Sequence, residues 1–379
     1  MLSVERGALH LYFCFDVGEE IHLARVERVF GEAPESSRLV ARRVTPAHIQ
    51  YRQAPLLVRL ADAEIDTPSG KVAAACTAKL YGFGVITISL RVPLRGPLEG
   101  LAPLAIACVE SAALLETARE RLASLLREIG SAVETVPADR ESAGETDWED
   151  YAIFRVERFD RPVRSDELLE TARADIARLL TCETEPLSAT ELADATRVAL
   201  SYYADELAVL GWNAAFLYDP RASWDVADVL EYAVVMLLEL RTYDALLDRV
   251  LDRAYDDLER KGGLLRPRDR GGLLRVRPFA STIDYLSEVK LEVSEVVEKA
   301  TNALKLVGDP YLARVFQAMA TRFGLSAWEH NLREKLATVE SLYTLLHDRM
   351  QSRVMLALES AIVVLFVVDV VLVLLQVAK

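Results

Sequence analysis

The longest apolar run of the chain extends from Val354 to Ala378, between Arg353 and Lys379. At about 1.5 Å per residue, a helix of this length reaches roughly 37 Å, enough to cross a hydrocarbon core of about 30 Å. Seventeen of its residues are Val, Ile, Leu or Phe. At about −0.3 to −0.6 kcal/mol each, they outweigh a central acid that costs about 2.5 to 3.5 kcal/mol. The pattern therefore predicts one C-terminal transmembrane helix at residues 354–378.

Two acids interrupt this run, Glu359 near one edge and Asp369 close to the centre. Ten residues at about 100° each place them roughly 80° apart around a helix, so both can face one broad side. Buried acids in lipid need hydrogen-bonding partners. We therefore predict that Glu359 and Asp369 are intramembrane assembly contacts, in a homo-oligomer or with another membrane protein. The alternative is that they only reach towards the headgroups.

Basic residues near the span predict its orientation. Lys335, Arg349 and Arg353 precede it within about 20 residues, whereas Lys379 alone follows. The positive-inside rule then keeps the N-terminal body in the cytoplasm. Glu5 lies where a signal peptide would begin its apolar core. We expect a single-pass, tail-anchored protein with membrane lipid as one partner.

The front of the chain has the pattern of strands mixed with helices. Apolar or alternating runs bounded by Gly, Pro and Asp are typical of strands. They occur at residues 9–17, 54–60, 72–81 and 84–92. These elements predict an α+β domain at 1–132, a linker at 133–148 and a second α/β unit at 149–222. Whether the two units form one body is left open.

The back of the chain, residues 223–353, has helical spacing. Two heptad stretches step by three and four without a miss, from Leu286 to Val307 and from Leu332 to Met350. An intramolecular antiparallel bundle satisfies both seams, and an intermolecular coiled coil is the alternative. The fold class is therefore α+β, with a mixed α/β N-terminal body, an all-helical bundle or coiled-coil stalk and one transmembrane helix.

Composition and motifs argue against several function classes. A formal net charge of −14 disfavours non-specific binding to nucleic acid. The chain has no P-loop, dinucleotide-binding, zinc-protease or nucleophile-elbow motif, and its four cysteines lack metal-ligand spacing. We expect no enzyme activity, no cofactor and no small-molecule substrate.

A basic segment at 260–278 stands out in this acidic chain. It holds seven basic residues and one acid, with two GGLLR repeats. These side chains are able to bind anionic lipid headgroups or an RNA phosphate backbone, or they only balance the acidic helices nearby. They are Arg260, Lys261, Arg266, Arg268, Arg270, Arg275 and Arg277.

An acidic stripe precedes this segment. Glu239, Asp244 and Asp248 fall on roughly one side of a helix, where carboxylates are able to hold a divalent cation. We favour ion pairs instead, on a solvated face or against the next helix. Asp244 interrupts an apolar stripe, so we expect it to be paired. The metal interpretation would make the protein a metal-dependent enzyme.

The string LESAIVVLFVVDVV resembles the C-terminal ending of the required-for-meiotic-nuclear-division family, the domain of unknown function 155. The LYFCFDVGEEI opening, the GFGVITISL strand and the RMQSRVMLALE helix occur in the order of that family. Ser360 replaces its usual Trp, and the block YYADELAVLGWNAAFLYD has no match in the mitochondrial members. The resemblance implies a divergent bacterial relative in the inner membrane that supports translation by tethering ribosomes, and it supplies no catalytic residue.

These observations predict a membrane-anchored, non-enzymatic scaffold or tether that assembles through its helices and its span. One alternative is a metal-dependent enzyme that uses the acidic stripe. The other is a membrane-side protein that binds RNA, a ribosome or anionic lipid through residues 260–278.

Overall fold

The structure of this chain is a computed structural model. It describes residues 2–32, 41–43, 54–68, 70–109, 111–134, 148–261, 283–291, 293–294, 298 and 308–377. The chain divides into two compact units. Unit 1 contains Met1–Thr242 and Thr301–Ser326, and unit 2 contains Tyr243–Ala300 and Ala327–Lys379.

Unit 1 has a mixed α/β architecture. Its strands are β1 (Ser3–Asp16), β2 (Glu20–Ile21), β3 (Ala41–Arg43), β4 (Leu56–Arg59), β5 (Ala63–Thr67), β6 (Gly70–Leu80), β7 (Val85–Pro97), β8 (Val133–Glu134), β9 (Trp148–Phe159), β10 (Ala199–Leu200), β11 (Leu207–Leu210) and β12 (Ala214–Tyr218). Its helices are α1 (Leu23–Glu32), α2 (Ala102–Val109), α3 (Ala112–Ile129), α4 (Ser165–Thr171), α5 (Arg173–Thr181), α6 (Ala189–Ala195), the start of α7 (Asp225–Lys261) and, after the helical residues 283–291 (α8), α9 (Pro310–Arg322).

One sheet of ten described strands organises unit 1. Its order is β10-β11-β12-β9-β1-β7-β6-β4-β3, and β5 also pairs with β6. β12 runs parallel to β9, whereas the other neighbouring strands are antiparallel. β2 and β8 form a separate pair. The four strands predicted at the front of the chain thus correspond to β1, β4, β6 and β7.

The pairing of β1 with β9 joins the two predicted α/β units. Leu9 of β1 lies opposite Val92 of β7 on one side and Phe154 of β9 on the other. Residues from 1–132 and from 149–222 therefore share one sheet, which answers the question that the sequence left open. The predicted linker contributes β8 at its start and the first residue of β9 at its end, and residues 135–147 lie outside the described part.

One face of the sheet is apolar. Alternate residues of β1, such as Leu9 and Phe13, point to this face because side chains alternate along a strand. They form a single buried core with Phe154 of β9, Leu125 of α3 and Ile176 of α5. Fully burying a large aliphatic or aromatic side chain contributes about 1.5 to 3 kcal/mol. This face therefore supplies a large part of the hydrophobic stabilisation of unit 1.

The opposite face carries buried polar side chains beneath α7. Lys79 of β6 donates a hydrogen bond to Asp228 over 2.8 Å and another to Glu231. The Tyr81 hydroxyl donates to the second carboxylate oxygen of Glu231 over 3.1 Å. Only 8% of Lys79 and 2% of Glu231 are exposed. This group, called the lysine cluster, connects the first turns of α7 to the sheet.

Unit 2 is helical throughout its described residues. It contains the rest of α7, α8 and most of α10 (Leu325–Val377). Lys290 of α8 binds Glu340 of α10 over 2.6 Å. Seam residues of both predicted heptad stretches are buried in the single chain, as an intramolecular bundle requires. They are Leu286, Val289, Val293, Leu332, Val339 and Leu346. The seam residues Val296, Ala300, Ala303 and Val307 lie outside the described part of the chain.

Replacing Lys79 by Met should destabilise unit 1 by about 3 to 5 kcal/mol at pH 7, because it leaves the Glu231 carboxylate buried without its cation. Burial raises the pKa of Glu231. An acid whose pKa is raised by folding stabilises the fold below its unfolded pKa, near 4.3, and loses that contribution as the pH rises. The decrease in unfolding free energy caused by Lys79→Met should therefore be smaller at pH 4.5 than at pH 7. Denaturant unfolding of the full chain in detergent, followed by tryptophan fluorescence, measures both effects.

The control for this substitution is Lys71→Met, which removes an exposed lysine 3.7 Å from Glu64 and should change little. Adding Glu231→Gln to Lys79→Met should restore much of the stability. A double variant as unstable as the single one would show that lost packing, and not the buried charge, explains the effect.

Candidate functional site

The C-terminal half of α10 exposes an apolar surface. Its most apolar 18-residue window has a mean hydropathy of 2.7, and no residue of that window is buried. Phe366 and Leu365 are each 68% exposed. By length and composition α10 can cross a membrane. Among the described helices, α2 and α3 pass the same test only if they count as one span bent by 54°.

The two acids predicted as assembly contacts lie on this apolar segment. Glu359 and Asp369 are both exposed in the single chain. The large apolar side chains around them are exposed as well, from Met355 to Val373. The arrangement leaves both carboxylates accessible to a second chain.

The acidic stripe binds a lysine. In unit 2, Lys335 of α10 lies 2.8 Å from Asp244 and 2.6 Å from Asp248 of α7. Asp244 is therefore paired with a lysine. A partner is expected because Asp244 interrupts an apolar stripe. Glu239 is buried in unit 1, and the neighbouring Arg241 pairs with Glu149 of β9. No group of three His, Cys, Asp or Glu side chains among the described residues could hold a metal ion.

The basic segment at 260–278 falls almost entirely outside the described residues. Arg260 and Lys261 are the last two residues of α7. The other five basic residues lie outside the described part. They are Arg266, Arg268, Arg270, Arg275 and Arg277.

Unit 1 contains a cavity of about 310 Å³ that the sequence did not reveal. It lies where β12 ends, between the loop at 201–206, the loop at 219–225 and the start of α9. Its wall includes Arg155, Tyr202, Tyr203, Glu206, Tyr218, Asp219, Arg221, Asp225, Asp309 and Tyr311. Because β9 and β12 are parallel neighbours, their C-terminal ends lie at the same edge of the sheet, next to the cavity. We call it the tyrosine cavity.

Hydrogen bonds to carboxylates shape the loops of this cavity. Asp219 accepts from the backbone N–H groups of Arg221 and Ser223, over 2.8 and 2.7 Å. Glu206 accepts from the backbone N–H groups of Tyr202 and Tyr203, over 2.8 and 3.1 Å. Each carboxylate closes a local turn, which is why Asp and Glu suit these positions.

Three of the four tyrosines in the wall pack against one another. The rings of Tyr202 and Tyr203 are perpendicular, with centroids 4.7 Å apart, and the ring of Tyr311 lies 5.4 Å from that of Tyr202. Tyr203 is 48% exposed, whereas Tyr311 is buried. Burial, together with the charges of Glu206 and Asp219, raises the pKa of Tyr311 well above its usual range. The phenol therefore stays protonated at neutral pH.

The second wall of the cavity contains a buried arginine. Arg155 of β9 donates to Glu157 over 2.6 Å and to the Ser223 carbonyl over 3.1 Å, and it lies over the ring of Trp224 at 4.3 Å. His10 packs edge-on against the same ring at 5.0 Å. Burial, and then Arg91 and Arg155, lower the pKa of His10 to about 3, so this imidazole is neutral at physiological pH.

The sequence did not reveal the tyrosine cavity because its wall comes from four separate segments. The available signal was the density of aromatic and acidic residues in YYADE, at 202–206, and in YDPRASW, at 218–224. Tyr311, about 90 residues further on, could be added only by the tertiary structure.

Comparison with known proteins gives one family. Residues 6–224 match the model of a family described as "Uncharacterized protein MJ0711, N-terminal domain". Over 225 residues the chain is 21% identical to uncharacterized protein MJ0711 of Methanocaldococcus jannaschii. The aligned region covers 59% of this chain and 65% of that relative. The match thus includes most of the sheet in unit 1 and ends before α7. The resemblance to the required-for-meiotic-nuclear-division family, and the bacterial source inferred from it, stay predictions.

Replacing Asp244 and Asp248 by Asn should lower the stability of unit 2 by about 1 kcal/mol, since these ion pairs are only partly buried. Partial burial by itself would lower the pKa of Lys335. The hydrogen bonds of Lys335 to Asp244 and Asp248 have the larger effect, so the pKa of Lys335 is raised. The ion pairs of Lys335 thus stabilise unit 2 fully below the usual lysine pKa of about 10.4. This stabilisation is lost as the pH rises through the higher pKa that Lys335 has in the folded state. Thermal unfolding at pH 7 and pH 11 measures it.

Asp252→Asn, an exposed position one turn further along α7, is the matched control and should have little effect. Millimolar Mg²⁺ should leave the melting temperature of the wild type unchanged. A rise in melting temperature with Mg²⁺ that the Asp244 and Asp248 substitutions abolish would favour the metal interpretation.

Proposed function

We propose that this chain, which belongs to the family of the MJ0711 N-terminal domain, is a single-pass, membrane-anchored, non-enzymatic scaffold. The observation that carries the proposal is the exposed apolar segment of α10, with a mean hydropathy of 2.7 and no burial. Soluble monomers rarely expose contiguous apolar patches above a few hundred Å². A bilayer removes this surface from water, and the continuous helix satisfies its own backbone hydrogen bonds there.

The proposed topology places the N-terminal body in the cytoplasm. Lys335, Arg349 and Arg353 precede the apolar segment within about 20 residues, and such a bias keeps that side in the cytoplasm. In a bacterial cell the membrane would be the inner membrane. The scaffold would hold unit 1 near the membrane surface. There, the resemblance to the required-for-meiotic-nuclear-division family implies that it supports translation by tethering a ribosome.

We also propose that the scaffold assembles through its span. Within lipid, Glu359 and Asp369 would lack water, and a hydrogen-bonding partner on another helix lowers the free energy of burying them. A second copy supplies the same two acids at the same depth. Homo-oligomerisation, or pairing with another membrane protein, therefore accounts for two acids in this segment.

The anchor is tested by placing Arg at Leu365 and Val367, near the middle of the segment. Each central Arg costs about 2.5 to 3.5 kcal/mol on insertion, so the double variant should move largely into the soluble fraction. The wild type should stay with the membranes through alkaline carbonate extraction. Arg at Ser341 and Thr344, which are exposed on the same helix outside the segment, is the control and should stay membrane-bound. A wild type released by carbonate would reject the anchor.

Assembly is tested by crosslinking the full chain in detergent-solubilised membranes. Replacing Glu359 and Asp369 by Leu should reduce the crosslinked adduct by about tenfold or more while the protein stays in the membrane, because the substitutions remove the polar contacts and favour insertion. Ser360→Leu, in the same segment, should leave the adduct unchanged. Monomeric wild type would reject assembly and leave the anchor intact.

A further inference from the structure

The tyrosine cavity is built from unit 1 and contains no residue of the apolar segment on which the proposed anchor and assembly depend. Its wall combines aromatic rings with carboxylates around about 310 Å³ of space, at the lower end of the range of small-molecule pockets. We propose that it binds a small organic cation, namely an alkylammonium group.

The aromatic rings of the cavity already attract cations of the chain itself. The guanidinium of Arg221 lies over the ring of Tyr203 at 4.0 Å, and that of Arg314 lies 5.8 Å from the ring of Tyr311. Both distances fall within the range of cation–π attraction. Tyr202 lies between the other two rings, at 4.7 and 5.4 Å, so the three rings form one continuous aromatic surface. Such surfaces recognise alkylated ammonium groups.

The charge of the wall favours a cation over an anion. Arg155 pairs with Glu157, which does not line the cavity. Arg221 pairs with Asp205, also outside the lining, over 2.9 and 3.2 Å, and lies 3.7 Å from Glu206 of the wall. Four acids face these two arginines in the wall, which gives it a negative balance. They are Glu206, Asp219, Asp225 and Asp309.

The helix start at the cavity is already occupied by an acid of the chain. Asp309 accepts from the backbone N–H groups of Tyr311 and Leu312, over 2.8 and 3.1 Å, as the N-cap of α9. A carboxylate at this end satisfies the N–H groups that an anionic ligand would use. Because a carboxylate has about four lone-pair sites, each acid of the wall can still accept from an ammonium N–H or attract a quaternary ammonium.

Two sources could present this chemistry to unit 1. One is a free amine in solution, and the other is the choline or ethanolamine headgroup of a lipid. The inference does not depend on the anchor, because the cavity is built entirely from unit 1.

The experiment titrates choline chloride into the full chain in a maltoside detergent at constant ionic strength, followed by calorimetry. Saturable binding in the micromolar to millimolar range is expected. Tyr203→Leu should weaken it at least tenfold, because it removes an aromatic face. Tyr255→Leu is the matched control, since Tyr255 is also 48% exposed but lies in unit 2, and it should bind choline like the wild type.

Arg221→Ala separates a cation site from an anion site. For a bound cation, removal of this positive charge should leave the affinity for choline equal or higher. Saturable binding of inorganic phosphate that Arg221→Ala abolishes would overturn the proposal. So would the absence of saturable choline binding, or equal binding by wild type and Tyr203→Leu.

Nanodiscs distinguish the two sources of the cation. Competition with choline by phosphatidylcholine discs, but not by phosphatidylglycerol discs, would assign the site to a lipid headgroup. Choline binding that neither lipid changes would assign it to a free amine. Both results support the cation site, and failure of choline binding in detergent would leave the membrane-anchor proposal unaffected.

Discussion

The buried pairing of Lys79 with Asp228 and Glu231 is the constraint on which the arrangement of unit 1 depends. A lysine and a glutamate removed from water are strongly unfavourable unless each finds its partner, so the first turns of α7 can lie on the sheet in few ways. Tyr81 adds a hydrogen bond to the same carboxylate. The face beneath α7 also buries apolar side chains, such as Leu230 and Leu238 of the helix, and the buried ion pairs add a defined position for the helix.

That position also determines the tyrosine cavity. The loop at 219–225 connects β12 to α7, so fixing the first turns of α7 fixes the loop between Asp219 and Asp225. The buried Arg155 binds the Ser223 carbonyl from the sheet side and lies over Trp224. A cluster on the polar face and a cavity at the end of the parallel pair β9 and β12 are therefore parts of one arrangement. The family match, residues 6–224, includes Lys79 and Tyr81 of the cluster and the cavity wall from Arg155 to Ser223, whereas Asp228, Glu231, Asp309 and Tyr311 lie beyond it.

The two units suit different tasks. Unit 1 has a large core, a cavity and a buried polar network. Unit 2 has helices joined by ion pairs of Lys335 and Lys290, and it ends in an apolar segment that no protein surface covers. Under the proposed function, the helices of unit 2 would provide the anchor and unit 1 would be the part that meets partners.

The sequence by itself determined the strands β1, β4, β6 and β7, the helical back of the chain and the apolar segment of α10. Each depends on local periodicity or on length, which a chain displays without folding. It also predicted that Asp244 is paired. Only the tertiary structure decided that β9 pairs with β1, that the partner of Asp244 is Lys335, and that Tyr202, Tyr203 and Tyr311 line one cavity. These contacts join residues about 90 or more positions apart, and their partners are selected by burial and charge in three dimensions, which no local pattern records.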